Sequence, residues 1–163
     1  FSDHELVQRA ATEAMCNLVP HEAMMKHLAE EETLRLWLAF ATEYENNYEM
    51  ARAASGCLAM ATQAEPIALE LIKVDRFKSE MTLRLECGRL EIMPRAFVIL
   101  LNLVMHGGTC REKVVSEGFV AFCVAYVNSS DMNETLELEF SEEERALLPV
   151  TVEIAKKIAA EAE

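Results

Sequence analysis

"QRAATEAMCNLV", Gln8 to Val19, is the stretch on which the fold turns. Its alanines and its lack of Gly or Pro make it a helix. Arg-Ala-Ala then returns at Arg52, Ala53 and Ala54, 43 residues on, and Arg95-Ala96 stands 43 further. The turns at His21, Glu65 and Thr109 keep a similar step of 44 residues. Each interval holds a short, a medium and a long helical segment, the long ones beginning near Asp3, Tyr48 and Pro94. Three helices per unit at a period in the low forties is the armadillo pattern, and two-helix units of similar length are the HEAT pattern. Units of this kind cannot bury their apolar faces alone, so they stack into a curved solenoid with a long concave face. The expected fold is all-α: an armadillo-repeat right-handed superhelical solenoid (an α-α superhelix) of about three to four repeats. Residues 1–19 supply the last helix of one repeat, followed by 20–62, 63–106 and a terminal repeat over 107–163. The start at Phe1 rather than Met, and an unpartnered first helix at Leu6 to Val19, suggest a fragment whose preceding unit is missing.

Local signals place the elements. Asp3 can cap the first helix and Pro20 ends it. His21 to Glu30 and Thr33 to Tyr44 follow, then the polar connector Glu45-Asn46-Asn47 and a long helix over Tyr48 to Thr62. Pro66 and Pro94 sit where proline is tolerated, in a first helical turn. Asp75 can cap a helix through Glu86, with Gly88 as its stop. Gly107-Gly108 closes the helix from Pro94, and Thr109 is expected to cap a short helix ending near Gly118. Phe119 to Val127 is apolar and expected to be buried, with Asn128 to Asp131 a loop. Ser141-Glu142-Glu143-Glu144 has the form of a capping box. Pro149, deep in the helix that follows, predicts a kink or break. Glu134 to Phe140 alternates like a strand but has no strand to pair with, and reads as loop or ragged helix.

The net charge of −13 makes nucleic acid and anionic membranes poor partners. The longest apolar run, Ala96 to Met105, is too short to span a bilayer. The five cysteines, Cys16, Cys57, Cys87, Cys110 and Cys123, form no CxxC pair. They read as buried free thiols in a reducing compartment, which points to a cytoplasmic location. His4, His21, His27 and His106 are dispersed and lack metal-ligand spacing. Glu30-Glu31-Glu32 and Glu142-Glu143-Glu144 are charge runs at helix starts, where the helix dipole favours them over acid–base work. Phosphate loops and GxSxG are absent, and Trp37 reads as core. The expectation is a protein without catalytic, cofactor or metal residues.

One stripe of the long helices is more informative. Arg9, Glu13 and Asn17 are spaced by four; Arg52, Gly56 and Met60 repeat the stripe; Arg95, Ile99 and Asn102 repeat it again with a shorter last step. Facing a concave groove, the asparagines would offer a donor and an acceptor to an extended peptide. The candidate groove residues are Arg9, Glu13, Asn17, Arg52, Met60, Arg95 and Asn102. On the same helices, Ala10, Ala11, Ala14, Ala53, Ala54 and Gly56 are small enough to let neighbouring helices approach.

"RAATEAMCNLV" (Arg9 to Val19), "RAASGCLAMAT" (Arg52 to Thr62), "RAFVILLNLV" (Arg95 to Val104) and "VSEGFVAF" (Val115 to Phe122) occur in this order. The set resembles the C-terminal armadillo region of the UCS-domain myosin chaperones, the animal Unc-type proteins, from about Leu6 to Phe122. The resemblance implies a module that holds segments of the myosin heavy-chain motor domain in the groove of its armadillo stack and assists their folding and assembly. It also implies a heat-shock chaperone partner, engaged through a tetratricopeptide domain missing from this chain, and a cytoplasmic protein associated with myofibrils in muscle. The family's groove asparagines carry over only to Asn17 and Asn102. The other reading of the same repeats is a generic armadillo or HEAT adaptor that binds another protein through its concave groove.

Overall fold

The computed structural model describes residues 4–130 and 141–162. Within them the chain is helical, with α1 over Glu5–Leu18, α2 over Glu22–Leu28, α3 over Glu31–Thr42 and α4 over Tyr48–Ala61. Then follow α5 over Glu65–Leu71, α6 over Phe77–Glu86 and α7 over Met93–His106. The last are α8 over Gly108–Ser116, α9 over Phe119–Ser130 and α10 over Glu142–Glu161. After α1 the order short, medium, long occurs three times: α2-α3-α4, α5-α6-α7 and α8-α9-α10.

The packing follows that order. The long helices lie in sequence, α1 against α4, α4 against α7 and α7 against α10. The medium helix α3 lies against α6, and the short helix α5 against α8. Within a triplet the medium and long helices also meet, as α3 with α4, α6 with α7 and α9 with α10. One continuous core results, from Val19 and Leu28 through Trp37, Leu58 and Phe77 to Phe97, Cys123 and Ile158. Phe77 meets Phe119 edge-on at 5.9 Å between ring centres, and Phe97 meets Tyr126 at 5.0 Å.

The helix ends have local causes. The Asn47 side chain accepts from the Met50 amide at 3.2 Å and caps α4. Pro66 and Pro94 sit in the first turns of α5 and α7. Gly107, with φ of 71°, ends α7 and starts α8 without the penalty a side chain would incur there.

Several expectations need correction. Asp75 does not cap α6, which opens at Phe77 behind Arg76 because Asp75 belongs to the preceding turn. Thr109 lies inside α8, since Gly107 makes the reversal two residues earlier. Asn128 to Ser130 continue α9 rather than forming a loop. Burial along α9 is one-sided: Phe119 and Cys123 are buried, whereas Val124 is 45% exposed. Pro149 does not break α10, which runs through it at an exposed position. Ala10, Ala11 and Ala14 are exposed, because α1 turns Thr12, Met15, Cys16 and Val19 toward its neighbours instead. Asp3 and the stretch Glu134 to Phe140 lie outside the described residues.

Candidate binding face

Stacking α1, α4 and α7 in sequence brings the repeated arginines into a row, and the chain has set a carboxylate beside each joint. Arg9 Nε pairs with Glu13 Oε1 at 3.0 Å, and its Nη2 lies 3.8 Å from Glu49 Oε2 on α4. Arg52 donates to the same Glu49 oxygen at 2.8 Å and reaches Glu91 Oε1, just before α7, at 3.5 Å. Tyr48 donates its hydroxyl to Glu91 Oε2 at 2.8 Å. Arg95 turns back from α7 to donate to the carbonyls of Arg52, at 3.2 Å, and Glu91. Charges thus alternate across two helix joints.

The ionisation of the row follows from these contacts. The hydrogen bond from Arg52 holds Glu49 below the usual carboxylate range; burial opposes it, and the charges of Arg52 and Arg9 add to the lowering. The same contact with Glu49 raises Arg52. Burial lowers Arg95, and the nearby Arg52 cation adds to that.

Beside the row lies an open cavity of about 350 Å³. Five of the seven candidate residues line it, Glu13, Asn17, Arg52, Met60 and Arg95, together with Cys16, Ala53 and Gly56. Gly56 is not forced by a clash: a Cβ there would meet Arg95 Nε at 3.5 Å, an ordinary contact. Met60 is 39% exposed and Asn17 is exposed, so both present side chains to solvent.

Two candidates lie elsewhere. Arg9 stands at the margin of the cavity, tied to Glu13 and Glu49. Asn102 points its amide away, donating to Ala59 O at 2.9 Å and Thr62 Oγ1 at 3.0 Å. That leaves only its side-chain carbonyl for other partners.

No family model matches the chain. It is 34% identical over 118 residues to Protein unc-45 homolog B of Danio rerio, which covers 71% of this chain and 12% of that protein. The Homo sapiens protein of the same name is 31% identical over 118 residues, covering 71% of this chain and 13% of its own length. The Xenopus tropicalis protein of that name is 29% identical over 136 residues, covering 81% of this chain and 15% of its own length.

Over most of its length the chain is similar to unc-45 homologues.

It spans only a small part of those relatives, 12% of the zebrafish protein. The residues that sequence reading missed are Tyr48, Glu49 and Glu91, which hold the arginine row together. A signal for them was present. Tyr48 and Glu91 stand 43 residues apart, the same interval as the arginines, so a bond between neighbouring units could have been read from the period. Among the described residues, no group of acidic, histidine or cysteine side chains could hold a metal ion. No helix among them is long and apolar enough to cross a membrane.

Proposed function

We propose that this chain is a non-catalytic protein-binding module, a stretch of armadillo-type right-handed solenoid belonging to a myosin-directed chaperone. The observation that carries the reading is the ordered stack of α1, α4 and α7, with an open cavity on the face that holds Glu13, Asn17, Arg52, Met60 and Arg95. In a solenoid, such a face is concave and accepts an extended segment. The similarity to unc-45 homologues supports myosin motor segments as the client and a cytoplasmic setting, beside the myofibril in muscle. Asn17 offers a donor and an acceptor to a client backbone, and Met60 an adaptable apolar contact. The proposal assigns no heat-shock chaperone contact to these residues.

The chain, immobilised, should retain isolated myosin motor domain in a pull-down and lower its aggregation on mild heating. No retention and no protection would overturn the myosin reading. The mixed lining of the cavity, with both charges and an exposed methionine, also suits a generic armadillo or HEAT adaptor. That reading would be supported if the chain ignored the motor domain but bound unrelated extended peptides through Asn17 and Met60.

A further inference from the structure

The α1–α4 joint carries a feature that peptide binding does not use. Cys16 sits on α1 at the edge of the cavity, half-buried, and as a thiol it donates to Ala53 O on α4 at 3.0 Å. In a helix the Ala53 carbonyl also receives the amide of Cys57, four residues on. The Cys16 sulfur is therefore held against the turn of α4 that carries Cys57. The two thiols lie close enough across the joint to perturb each other's ionisation, with Cys57 fully buried behind Cys16.

We propose that Cys16 is a peroxide-sensitive modification site and that Cys57 is its resolving partner, so that oxidation closes a disulfide between α1 and α4 in the floor of the binding face. The Cys16 thiolate attacks one oxygen of hydrogen peroxide, the O–O bond breaks, and hydroxide leaves, giving a sulfenic acid. The Cys57 thiol then attacks that sulfur. The S–S bond forms, the S–O bond breaks, and the departing oxygen takes the Cys57 proton, leaving as water. Two thiols are oxidised and one peroxide is reduced, giving two waters in all.

The surroundings favour this order. The hydrogen bond from Cys57 lowers the Cys16 pKa, opposed by burial, with Arg95 helping and Glu13 hindering. Cys57 is raised, first by that shared bond and then by burial. Burial also raises Cys87 and Cys110, and raises Cys123 to about 12, so these thiols compete poorly for peroxide.

The test is to treat the full chain with stoichiometric hydrogen peroxide, block free thiols, and map the digest without reductant. The expected product is one intramolecular cross-link joining the Cys16 and Cys57 peptides, with a raised Tm that dithiothreitol reverses. Cys16 left free, joined to another cysteine or joined to a second chain would overturn the proposal. Cys57→Ser should accumulate a dimedone-reactive sulfenic acid at Cys16, and its absence in a folded variant would refute the order of attack. Should Cys57→Ser not fold, Cys16→Ser at the half-buried position still decides. It should abolish the cross-link, and a Cys57 that is still consumed by peroxide would sink the assignment of Cys16 as the first site.

Discussion

Asn102 on α7 reaches across to α4 and donates its amide to Ala59 O at 2.9 Å, 43 residues earlier in the chain. The same amide reaches Thr62 Oγ1 at 3.0 Å, while Thr62 donates to Leu58 O at 2.9 Å. One turn further, His106 Nε2 lies 2.8 Å from Thr62 O. The last carbonyls of a helix lack partners within it. Here the following long helix supplies partners for those of α4. Asn102 is therefore a joint between neighbouring units, and the groove role proposed for it from sequence has to share the side chain with that joint.

Asn102→Ala should consequently lower stability by about 2 kcal/mol, since two hydrogen bonds at a half-buried site are lost. Asn17→Ala, exposed and lining the cavity, should change stability by less than about 0.5 kcal/mol. Urea unfolding of both variants checks this. Client capture should respond in the opposite sense, with Asn17→Ala weakening it in a chain that remains fully folded. Equal stability of the two variants would show that the Asn102 joint contributes nothing.

Arg84 makes a second contrast. It is fully buried in α6, donating from Nε to Glu80 O at 3.1 Å and from Nη2 to Met81 Sδ at 2.6 Å. Its Nη1 and the Oε2 of Glu80 have no hydrogen-bond partner among the described residues. Burial lowers the Arg84 pKa to about 10, with the Glu80 charge opposing. A depressed folded value for a cation means a cost present across neutral pH, relieved only as pH rises through about 10. Arg84→Leu should therefore leave stability within about 1 kcal/mol of the parent or above it, because Glu80 keeps its bridge to Arg76 at 2.7 Å. Glu80→Leu should destabilise more than Arg84→Leu, because it removes the charge that opposes the burial cost of Arg84 together with the bridge to Arg76. Thermal unfolding that ranks Glu80→Leu above Arg84→Leu would refute the account.

These two cases also show what the sequence could and could not reveal. The period of 43 residues announced the order of helices, because one long helix per unit must lie against the next to bury its apolar face. The row of Arg9, Arg52 and Arg95 was legible for the same reason. In α6, however, Glu80 and Arg84 occupy the buried face with Phe77, Met81 and Leu85, which no polar–apolar pattern signals. Whether Asn102 faced the cavity or α4 depended on a single helical step, since its stripe closes by three residues and that of Asn17 by four. Glycine and proline marked turns well but to within two residues only. Gly107 displaced Thr109 as the cap of α8, and Pro149 proved compatible with a continuous α10.

Pro149 yields its own prediction. It lies inside α10 at an exposed position, where it has no amide hydrogen for the helical ladder. Because the surrounding backbone is already helical, Pro149→Ala should raise stability, by up to about 3 kcal/mol. Differential scanning calorimetry should show a higher Tm at unchanged helicity. A fall in Tm would mean that the proline ring is a packing element of α10.

The arginine row predicts how the chain responds to acid. Glu49 is held below the usual carboxylate range, first by its hydrogen bond from Arg52. Glu117 is held low in the same way by Lys113 and Lys78, at 2.7 and 3.0 Å. A depressed folded pKa contributes stability that is complete above the unfolded carboxylate value and is lost as pH falls through the folded one. Tm should therefore fall as pH drops below about 4.5, the value of an unperturbed group. The fall should be shallower in Glu49→Gln, whose uncharged amide no longer titrates. It should also be smaller at high salt, because these pairs are partly solvent-exposed and so partly screened there. If Glu49→Gln and the parent lost Tm in parallel, at low salt and between about pH 6 and about pH 3, the row of Arg9, Glu49, Arg52 and Glu91 would be a surface arrangement with no part in joining the long helices.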